Sequence, residues 1–414
     1  MYLTKNPLLS GLQPTSLVIL AILALTSAIA SVSVDLLAPV LPVMSAEFGD
    51  NAGRAQLAVH VFYTGFGLSH LVWGRMSDRI GRRPTMLTGL VLYGIGTTGC
   101  LLADSLESVL VYRALQGIGA AVGMILTRAI IRDIYGPALA ARAVATMYIF
   151  FFPVPIALPL LAAYITPQFG WLSTIWTMLI VGLLALALVA TLLMETAAER
   201  PVRAVNSAPL LRDVRSILAN CTFRRSALAN MFCYSTILIL LSNISYLVEA
   251  RFEFTLEQTC ILLSLVSCCL AGGVLIARAT IDNAGTRAVG AGLLMLACPW
   301  AVLSLWHFVS QPGLLLYGIC LVIYNLGGGI LISALPGIAM APFSNSAGTA
   351  SSIFGILQYG GSALIAFVFH LTARNTELNV TLAITMCALL CLASHHWLTN
   401  SNLRLAHCDY QDLG

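Results

Sequence analysis

The feature that most constrains this chain is a series of long apolar segments joined by short polar connections. A helix that crosses a bilayer needs roughly 20 apolar residues. Twelve segments approach that length, near residues 16–43, 53–74, 84–103, 107–132, 141–166, 171–194, 223–248, 256–279, 287–309, 312–340, 346–373 and 377–399. Only 9% of the residues are charged, against about a quarter in a soluble domain. The sequence therefore predicts an all-α integral membrane protein.

The polar interval 195–222 divides the twelve segments into two sets of six. It contains Pro201 and Pro209, and it is read as a cytoplasmic linker between two six-helix bundles, 1–194 and 223–414. The second half contains a weak sequence repeat of the first. Asp78-x-x-Gly81 has a counterpart in Asp282-x-x-Gly285, at an offset of 282 − 78 = 204 residues, as two pseudo-symmetric halves would have.

The distribution of basic residues predicts the topology. If the N-terminus is cytoplasmic, most arginines fall in cytoplasmic connections, as the positive-inside rule requires, and both termini lie in the cytoplasm. We expect a multi-pass protein of a bacterial inner membrane, with the lipid bilayer as its surroundings. No basic helix alternates with stacking aromatics, so a nucleic-acid partner is not expected. No cofactor, no metal site and no enzyme activity are expected, and the chain is expected to act as a monomer.

The connection between the second and third apolar segments, residues 74–84, carries four arginines and a single aspartate. A basic loop that only fixes the membrane topology would need the arginines alone. The ordered set of glycines, aspartate, arginines and proline favours a functional loop instead. It closely resembles the signature loop between helices 2 and 3 of the major facilitator superfamily, and the resemblance implies a twelve-helix transporter. The candidate cytoplasmic-gate residues are Gly74, Asp78, Arg79, Gly81, Arg82 and Arg83.

A carboxylate, a guanidinium and an imidazole lie well inside predicted membrane helices rather than near their ends. A charge at such a depth is costly and marks a candidate functional site. Asp35 is the one carboxylate well inside a helix, and it is the candidate to bind a proton or a cationic substrate. Arg113 would adjust the proton affinity of Asp35 if both face one cavity, and His60 is a possible proton relay. The alternatives are a capping role for Asp35, hydrogen bonds from Arg113 to backbone carbonyls, and simple packing for His60.

Two further segments sharpen the resemblance. Asp35-Leu-Leu-Ala-Pro39-Val-Leu-Pro42 is similar to the helix 1 motif of twelve-helix drug:proton antiporters, and the segment Arg113–Ala121 closely matches their helix 4 motif. The continuation Arg128–Tyr135 resembles the bicyclomycin/chloramphenicol-resistance branch. The resemblance implies proton coupling through Arg113. On physical grounds, Gly117, Gly119 and Ala121 allow close helix packing, and Pro39 and Pro42 predict a kink near the end of helix 1. Helix 5 departs from the family, because residues 151–163 keep three prolines but lack the expected glycines.

The predicted function is proton-coupled export of an amphipathic small molecule, a drug or a secreted metabolite, by alternating access. One alternative is import of a metabolite or siderophore by the same fold, which the departure in helix 5 leaves open. A non-transporting membrane sensor or enzyme is the alternative from another class. Candidates for contacts with the substrate are the polar residues Gln116, Asn230, Tyr234, Tyr324, Asn325 and Gln358.

Overall fold

The computed structural model describes residues 17–50, 53–197, 214–343, 347–372 and 376–411, and within them the regular structure is helical. The helices are α1 Leu17–Asp35, α2 Leu41–Glu47, α3 Leu57–Leu68, α4 His70–Ile80, α5 Arg82–Leu101, α6 Leu106–Phe151, α7 Pro153–Phe169, α8 Leu172–Leu192, α9 Cys221–Phe252, α10 Leu256–Trp306, α11 Leu314–Met340, α12 Ala347–Gly355, α13 Ser362–Thr372 and α14 Glu377–Gln411. This arrangement confirms the predicted all-α class.

Ten helical stretches in the described ranges are long and apolar enough to cross a membrane. The predicted second and third spans are helical but fall outside this set. The second is interrupted at Ser69, so α3 and α4 are each short. The third, α5, is rich in glycine and threonine and therefore less apolar. That the chain crosses the membrane twelve times remains a prediction.

The chain forms two compact units, which we describe separately. Unit 1 contains the described residues up to 197 together with 244–265, and unit 2 contains the described residues of 214–243 and those from 266 onward. Helices α9 and α10 each contribute to both units. The division into halves at 194 and 223 remains a prediction, and most of the expected linker, residues 198–213, lies outside the described residues.

The first apolar segment is broken rather than continuous. Helix α1 ends at Asp35, a short 3₁₀ turn spans Ala38–Val40, and α2 starts at Leu41. Pro39 and Pro42 explain the break, because a proline has no N–H to donate to the carbonyl four residues earlier. Asp35 is therefore the last residue of a helix inside the membrane region.

Helix α6 lies at the centre of unit 1 and packs against α1, α3 and α5 at close range. A side chain at Gly117 would collide with the carbonyl oxygen of Phe62, and one at Gly123 with the carbonyl oxygen of Thr26. Small residues permit such close approach of helix backbones in membranes, as the sequence of this segment predicted. In unit 2, Gly329 of α11 approaches the carbonyl oxygen of Leu270 on α10 in the same way.

Candidate functional site

The loop between α4 and α5 is organised around the guanidinium of Arg82. Its Nη1 donates to Asp78 Oδ1 at 2.8 Å and to Ser77 Oγ at 2.6 Å, and its Nε donates to Asp133 Oδ2 at 3.0 Å. Burial acts to lower the pKa of Arg82, but the hydrogen bonds to Asp133 and Asp78 outweigh it, so the pKa is raised. Arg82 therefore stays charged and ties the loop to α6.

A second carboxylate holds the start of α5. Glu195, which follows α8, accepts from the backbone N–H of Arg82 at 2.9 Å and from that of Arg83 at 3.1 Å. Unpaired N–H groups and the positive end of the helix dipole make a helix N-terminus a natural partner for a carboxylate. Gly81 adopts φ 104°, and a side chain there would collide with the Glu195 carboxylate. The backbone conformation thus favours glycine at this position, and the absence of a side chain leaves room for the Glu195 carboxylate.

The other candidate gate residues are placed as follows. Arg83 Nη2 donates to the carbonyl oxygen of Ala190 on α8 at 2.6 Å, and the carbonyl oxygen of Gly74 accepts from Ser77 Oγ at 2.8 Å. Arg79 is exposed. The structure therefore joins Arg82 to α6 through Asp133 and Arg83 to α8 through the Ala190 carbonyl, while Asp78 pairs with Arg82. The sequence prediction did not include the partners Asp133 and Glu195.

Arg113 on α6 is fully buried and occupies the interior of unit 1. Its Nε donates to the carbonyl oxygen of Ala58 on α3 at 3.2 Å, its Nη1 donates to Gln116 Oε1, and its guanidinium lies 4.5 Å from the ring centroid of Phe62. Its Nη2 has no hydrogen-bond partner. The group is therefore a charge held by neutral acceptors and an aromatic face, with one donor unpaired.

Gln116 extends this network toward α5 and α8. Its Nε2 donates to Thr97 Oγ1 at 2.8 Å and lies 3.8 Å from Met178 Sδ. Gln116 has no exposed surface. Gln116 is thus placed to orient Arg113. Its predicted contact with the substrate stays a prediction.

Asp35 is partly exposed at the C-terminal end of α1. The structure shows no ion pair between Asp35 and Arg113, both of which it describes, because the guanidinium contacts Ala58, Gln116 and Phe62 instead. His60 is 1% exposed on α3, two residues from the carbonyl that holds Arg113. The roles of these residues in proton coupling stay predictions.

The candidates in unit 2 are neutral and mostly buried. Tyr324 donates to Thr236 Oγ1 at 2.9 Å and Asn325 Nδ2 donates to the carbonyl oxygen of Leu321 at 2.7 Å. Asn230 is fully buried on α9, and neither its Oδ1 nor its Nδ2 has a hydrogen-bond partner. A buried amide without partners costs free energy, which makes Asn230 the strongest candidate for a polar ligand contact in this unit.

Gln358 lies within an irregular stretch of helix, and Tyr234 lies beside it. Residues Ile356–Gly361 form a π-turn between α12 and α13, and π-turns are frequent at functional sites. The turn carries Gln358 and Tyr359, and the ring of Tyr359 meets that of Tyr234 edge-on at a centroid distance of 5.2 Å. Tyr359, which directly follows Gln358, belongs with these polar candidates.

Unit 1 contains one further feature of interest, a cavity of about 400 Å³. Three groups of residues line it, and all of them belong to unit 1: the broken end of the first segment, the end of α9 and the start of α10. The lining residues are Pro39, Pro42, Val43, Ala46, Ser245, Glu249, Phe254, Thr255, Leu256 and Thr259.

Comparisons with known proteins agree with this architecture. The sequence profile of the Major Facilitator Superfamily matches residues 23–366. Among curated relatives, the multidrug resistance protein MdtL of Escherichia coli O157:H7 (strain EC4115 / EHEC) is 27% identical over 364 residues, 84% of this chain and 88% of the relative. MdtL of Shigella dysenteriae serotype 1 (strain Sd197) is likewise 27% identical over 364 residues, with the same shares of both chains.

Solved structures show the same fold at low sequence identity. The inward open xylose transporter XylE from E. coli has a TM-score of 0.70 at 15% identity, covering 90% of this chain and 94% of that one. The human organic anion transporter MFSD10 has a TM-score of 0.66 at 19% identity, covering 92% and 99%.

Proposed function

The chain belongs to the major facilitator superfamily, and from that premise we propose that it exports an amphipathic small molecule across the bacterial inner membrane, coupled to protons, by alternating access. As a member of this family it is a multi-pass membrane transporter and not an enzyme. The similarity to proteins named for multidrug resistance supports export of drug-like molecules. We further propose that both termini are cytoplasmic and that one chain is sufficient for transport.

The observation that carries this proposal is the position of Asp35. It is a carboxyl group inside the membrane region, at the end of a helix that two prolines interrupt. Discontinuous membrane helices form the substrate and ion sites of many secondary transporters. We infer that the alternation between the two open states exposes Asp35 to water on each side in turn, where it can exchange protons. We assign to it the binding of a proton on one side of the membrane and its release on the other.

Arg113 acts in this scheme as a fixed positive charge in unit 1. Its attachment to neutral acceptors leaves its charge uncompensated by a carboxylate, so its field favours the ionised form of a nearby carboxyl. The loop around Arg82, with its partners Asp78, Asp133 and Glu195, is proposed as a cytoplasmic gate. Such charge-assisted contacts stabilise one of the two conformations of a transporter and are broken in the other.

A second candidate function is import, and one specific observation favours it. Helix α7 contains Pro153, Pro155, Pro159 and Pro167 but no glycine before Gly170. It therefore lacks the glycines that the resemblance to the drug:proton antiporters implies for this helix, and has Ala162 and Ala163 where small residues are expected. If those glycines set the direction of coupling, protons and substrate move together rather than in opposite directions.

Purified protein in proteoliposomes distinguishes these functions. A pH gradient is imposed, and the flux of a panel of amphipathic compounds is followed in both directions, with protein-free liposomes and a protonophore as controls. Export predicts that a compound accumulates on the side from which protons leave. Movement of the compound in the same direction as the protons would favour import. Flux that ignores the gradient for every compound would contradict proton coupling.

A further inference from the structure

The break in the first segment leaves a backbone carbonyl without its usual donor. In a regular helix the carbonyl of Ala38 would accept from the N–H of residue 42, but residue 42 is proline and has none. Ala38 is fully buried. The 3₁₀ turn offers this carbonyl only the N–H of Leu41, in the poorer geometry of an i→i+3 bond, so a further donor stabilises it.

That donor is a side chain from α9. Ser245 Oγ donates to the carbonyl oxygen of Ala38 at 2.8 Å, and Ser245 is only 2% exposed. Its neighbour Tyr246 donates through its hydroxyl to the carbonyl oxygen of Leu41 at 3.0 Å. All four residues belong to unit 1. The break is thus held from outside its own helix by two consecutive hydroxyl groups.

Ser245 differs in this respect from other serines of α9. Ser242 donates to the carbonyl oxygen of Leu238 at 2.9 Å, and Ser235 donates to that of Met231 at 2.8 Å, each within its own helix. Such bonds back to the preceding turn are the usual behaviour of serine in a helix. Ser245 instead spans 207 positions in the sequence to reach the carbonyl of Ala38, to which Pro42 has no N–H to donate.

We propose that Ser245 is a positioning residue, which replaces the N–H missing from Pro42 and thereby fixes the segment that follows Asp35. The inference rests on the proposed function, since it gives Ser245 a role through the proton-carrying group. Pro39, Pro42 and Ser245 also line the 400 Å³ cavity. The segment consequently has room to shift when the bond is lost, and Asp35 at its start shifts with it.

The structural part of the proposal is tested by hydrogen–deuterium exchange on the purified full-length protein, in the segment 36–46. Ser245→Ala removes the donor and should raise exchange there. Ser245→Thr keeps a hydroxyl and should restore protection. Ser242→Ala is the matched control and should leave the segment unchanged, because the Ser242 hydroxyl donates to carbonyls of its own helix.

The sharpest variant restores the missing N–H itself. Pro42→Ala gives residue 42 a backbone donor that can reach the Ala38 carbonyl. The double variant Pro42→Ala with Ser245→Ala should therefore be better protected in segment 36–46 than Ser245→Ala alone. Such rescue is specific to a shared acceptor, because a general packing defect at residue 245 would not be repaired by a change at residue 42.

The functional part is tested by comparing two fluxes of the same proteoliposomes, transport driven by a pH gradient and exchange of substrate without a gradient. Loss of one buried hydrogen bond predicts about a five- to tenfold fall in gradient-driven flux for Ser245→Ala, with a smaller fall in exchange. A defect of folding alone would lower both fluxes equally.

The outcomes separate this inference from the proposed function. The positioning role is wrong if the wild-type protein transports but Ser245→Ala matches Ser242→Ala in two measurements. These are the protection of segment 36–46 from hydrogen–deuterium exchange, and the ratio of gradient-driven flux to substrate exchange. If Ser245→Ala is deprotected and the double variant is not rescued, the shared-acceptor account is wrong. If the wild-type protein shows no gradient-driven flux, the proposed function fails, while the exchange data still decide whether Ser245 holds the break.

Discussion

The two units differ in the chemistry of their interiors. Unit 1 buries a guanidinium, Arg113, and carries the carboxyl of Asp35 at a helix break. The described interior of unit 2 is built around neutral groups, including the amide of Asn230 and the hydroxyl of Tyr324. A charge in the membrane is far more costly than a neutral amide. The difference suggests a division of labour, with proton coupling in unit 1 and substrate recognition in unit 2.

The irregular helices of the two units support the same division. In unit 1 the break is caused by prolines and is held by hydroxyls from α9. In unit 2 the π-turn Ile356–Gly361 presents an aromatic ring to a second ring on α9. One irregularity places a carboxyl group and the other places an aromatic pair, which suits an amphipathic ligand.

The largest expected effect concerns Arg113. Arg113→Met removes the donor to two buried acceptors, the Ala58 carbonyl and the Gln116 amide, and should lower gradient-driven flux about a hundredfold. Arg113→Lys keeps the charge but not the planar fork, so it should be intermediate. Flux is measured per folded protein. Tyr324→Phe in unit 2 is the control. If this variant lost as much proton coupling as Arg113→Met, the assignment of proton coupling to unit 1 would be wrong.

The next effect is on stability and should be alike in the two units. Gly117→Val and Gly329→Val each force a side chain against a backbone carbonyl of a neighbouring helix. Each should cost about 3 kcal/mol or more of stability. Gly94→Val and Gly318→Val are the matched controls, because a side chain at either position meets no atom within 4 Å. Melting temperatures in detergent measure the difference, and equal melting of test and control pairs would refute the close approach.

At the loop between α4 and α5 the expected effect is moderate and depends on burial. Asp133 pairs with Arg82 at 17% side-chain exposure, whereas Asp78 pairs with it at 70% exposure. Exposed ion pairs contribute little to stability. Asp133→Asn should therefore slow transport more than Asp78→Asn, with normal insertion of both. Substrate flux, measured at normal abundance of each variant, tests this ranking. Full transport by both variants would mean that the loop serves only to fix the membrane topology.

The smallest expected effect concerns substrate preference. Tyr234→Ala removes one ring of the aromatic pair with Tyr359, and should change the relative flux of different substrates by about two- to fivefold. It should leave the dependence on the pH gradient unchanged. Tyr234→Phe keeps the ring and should resemble the wild type. A Tyr234→Ala protein with unchanged substrate preference but weakened proton coupling would reverse the proposed division of labour.

Much of the fold could be predicted from the sequence, because hydropathy acts locally. The apolar segments predicted the helices, and the glycines after Arg113 predicted close packing of α6, which Gly117 confirms. The break at Asp35 was only partly anticipated. Two prolines predicted a kink, but whether the helix bends or ends depends on which groups pair with the freed carbonyls.

The partners of the site residues could not be predicted, since they are distant in sequence. Glu195 lies 113 positions from Arg82, and Ser245 lies 207 positions from Ala38. A weak signal for Glu195 existed, as a carboxylate directly after the sixth apolar segment on the side rich in arginine. Nothing in the pattern of α9 distinguishes Ser245 from its other serines. That distinction arises from packing alone.

The most direct test of the account is the flux of substrate by Asp35→Asn in proteoliposomes under an imposed pH gradient. Asparagine keeps the size of the side chain and cannot titrate, whereas Asp35→Glu keeps a carboxyl group. The account predicts that Asp35→Asn inserts normally, still exchanges a neutral substrate, and loses gradient-driven flux, while Asp35→Glu retains part of it. Gradient-driven flux by Asp35→Asn at the wild-type rate would contradict the assignment of Asp35 as the proton carrier.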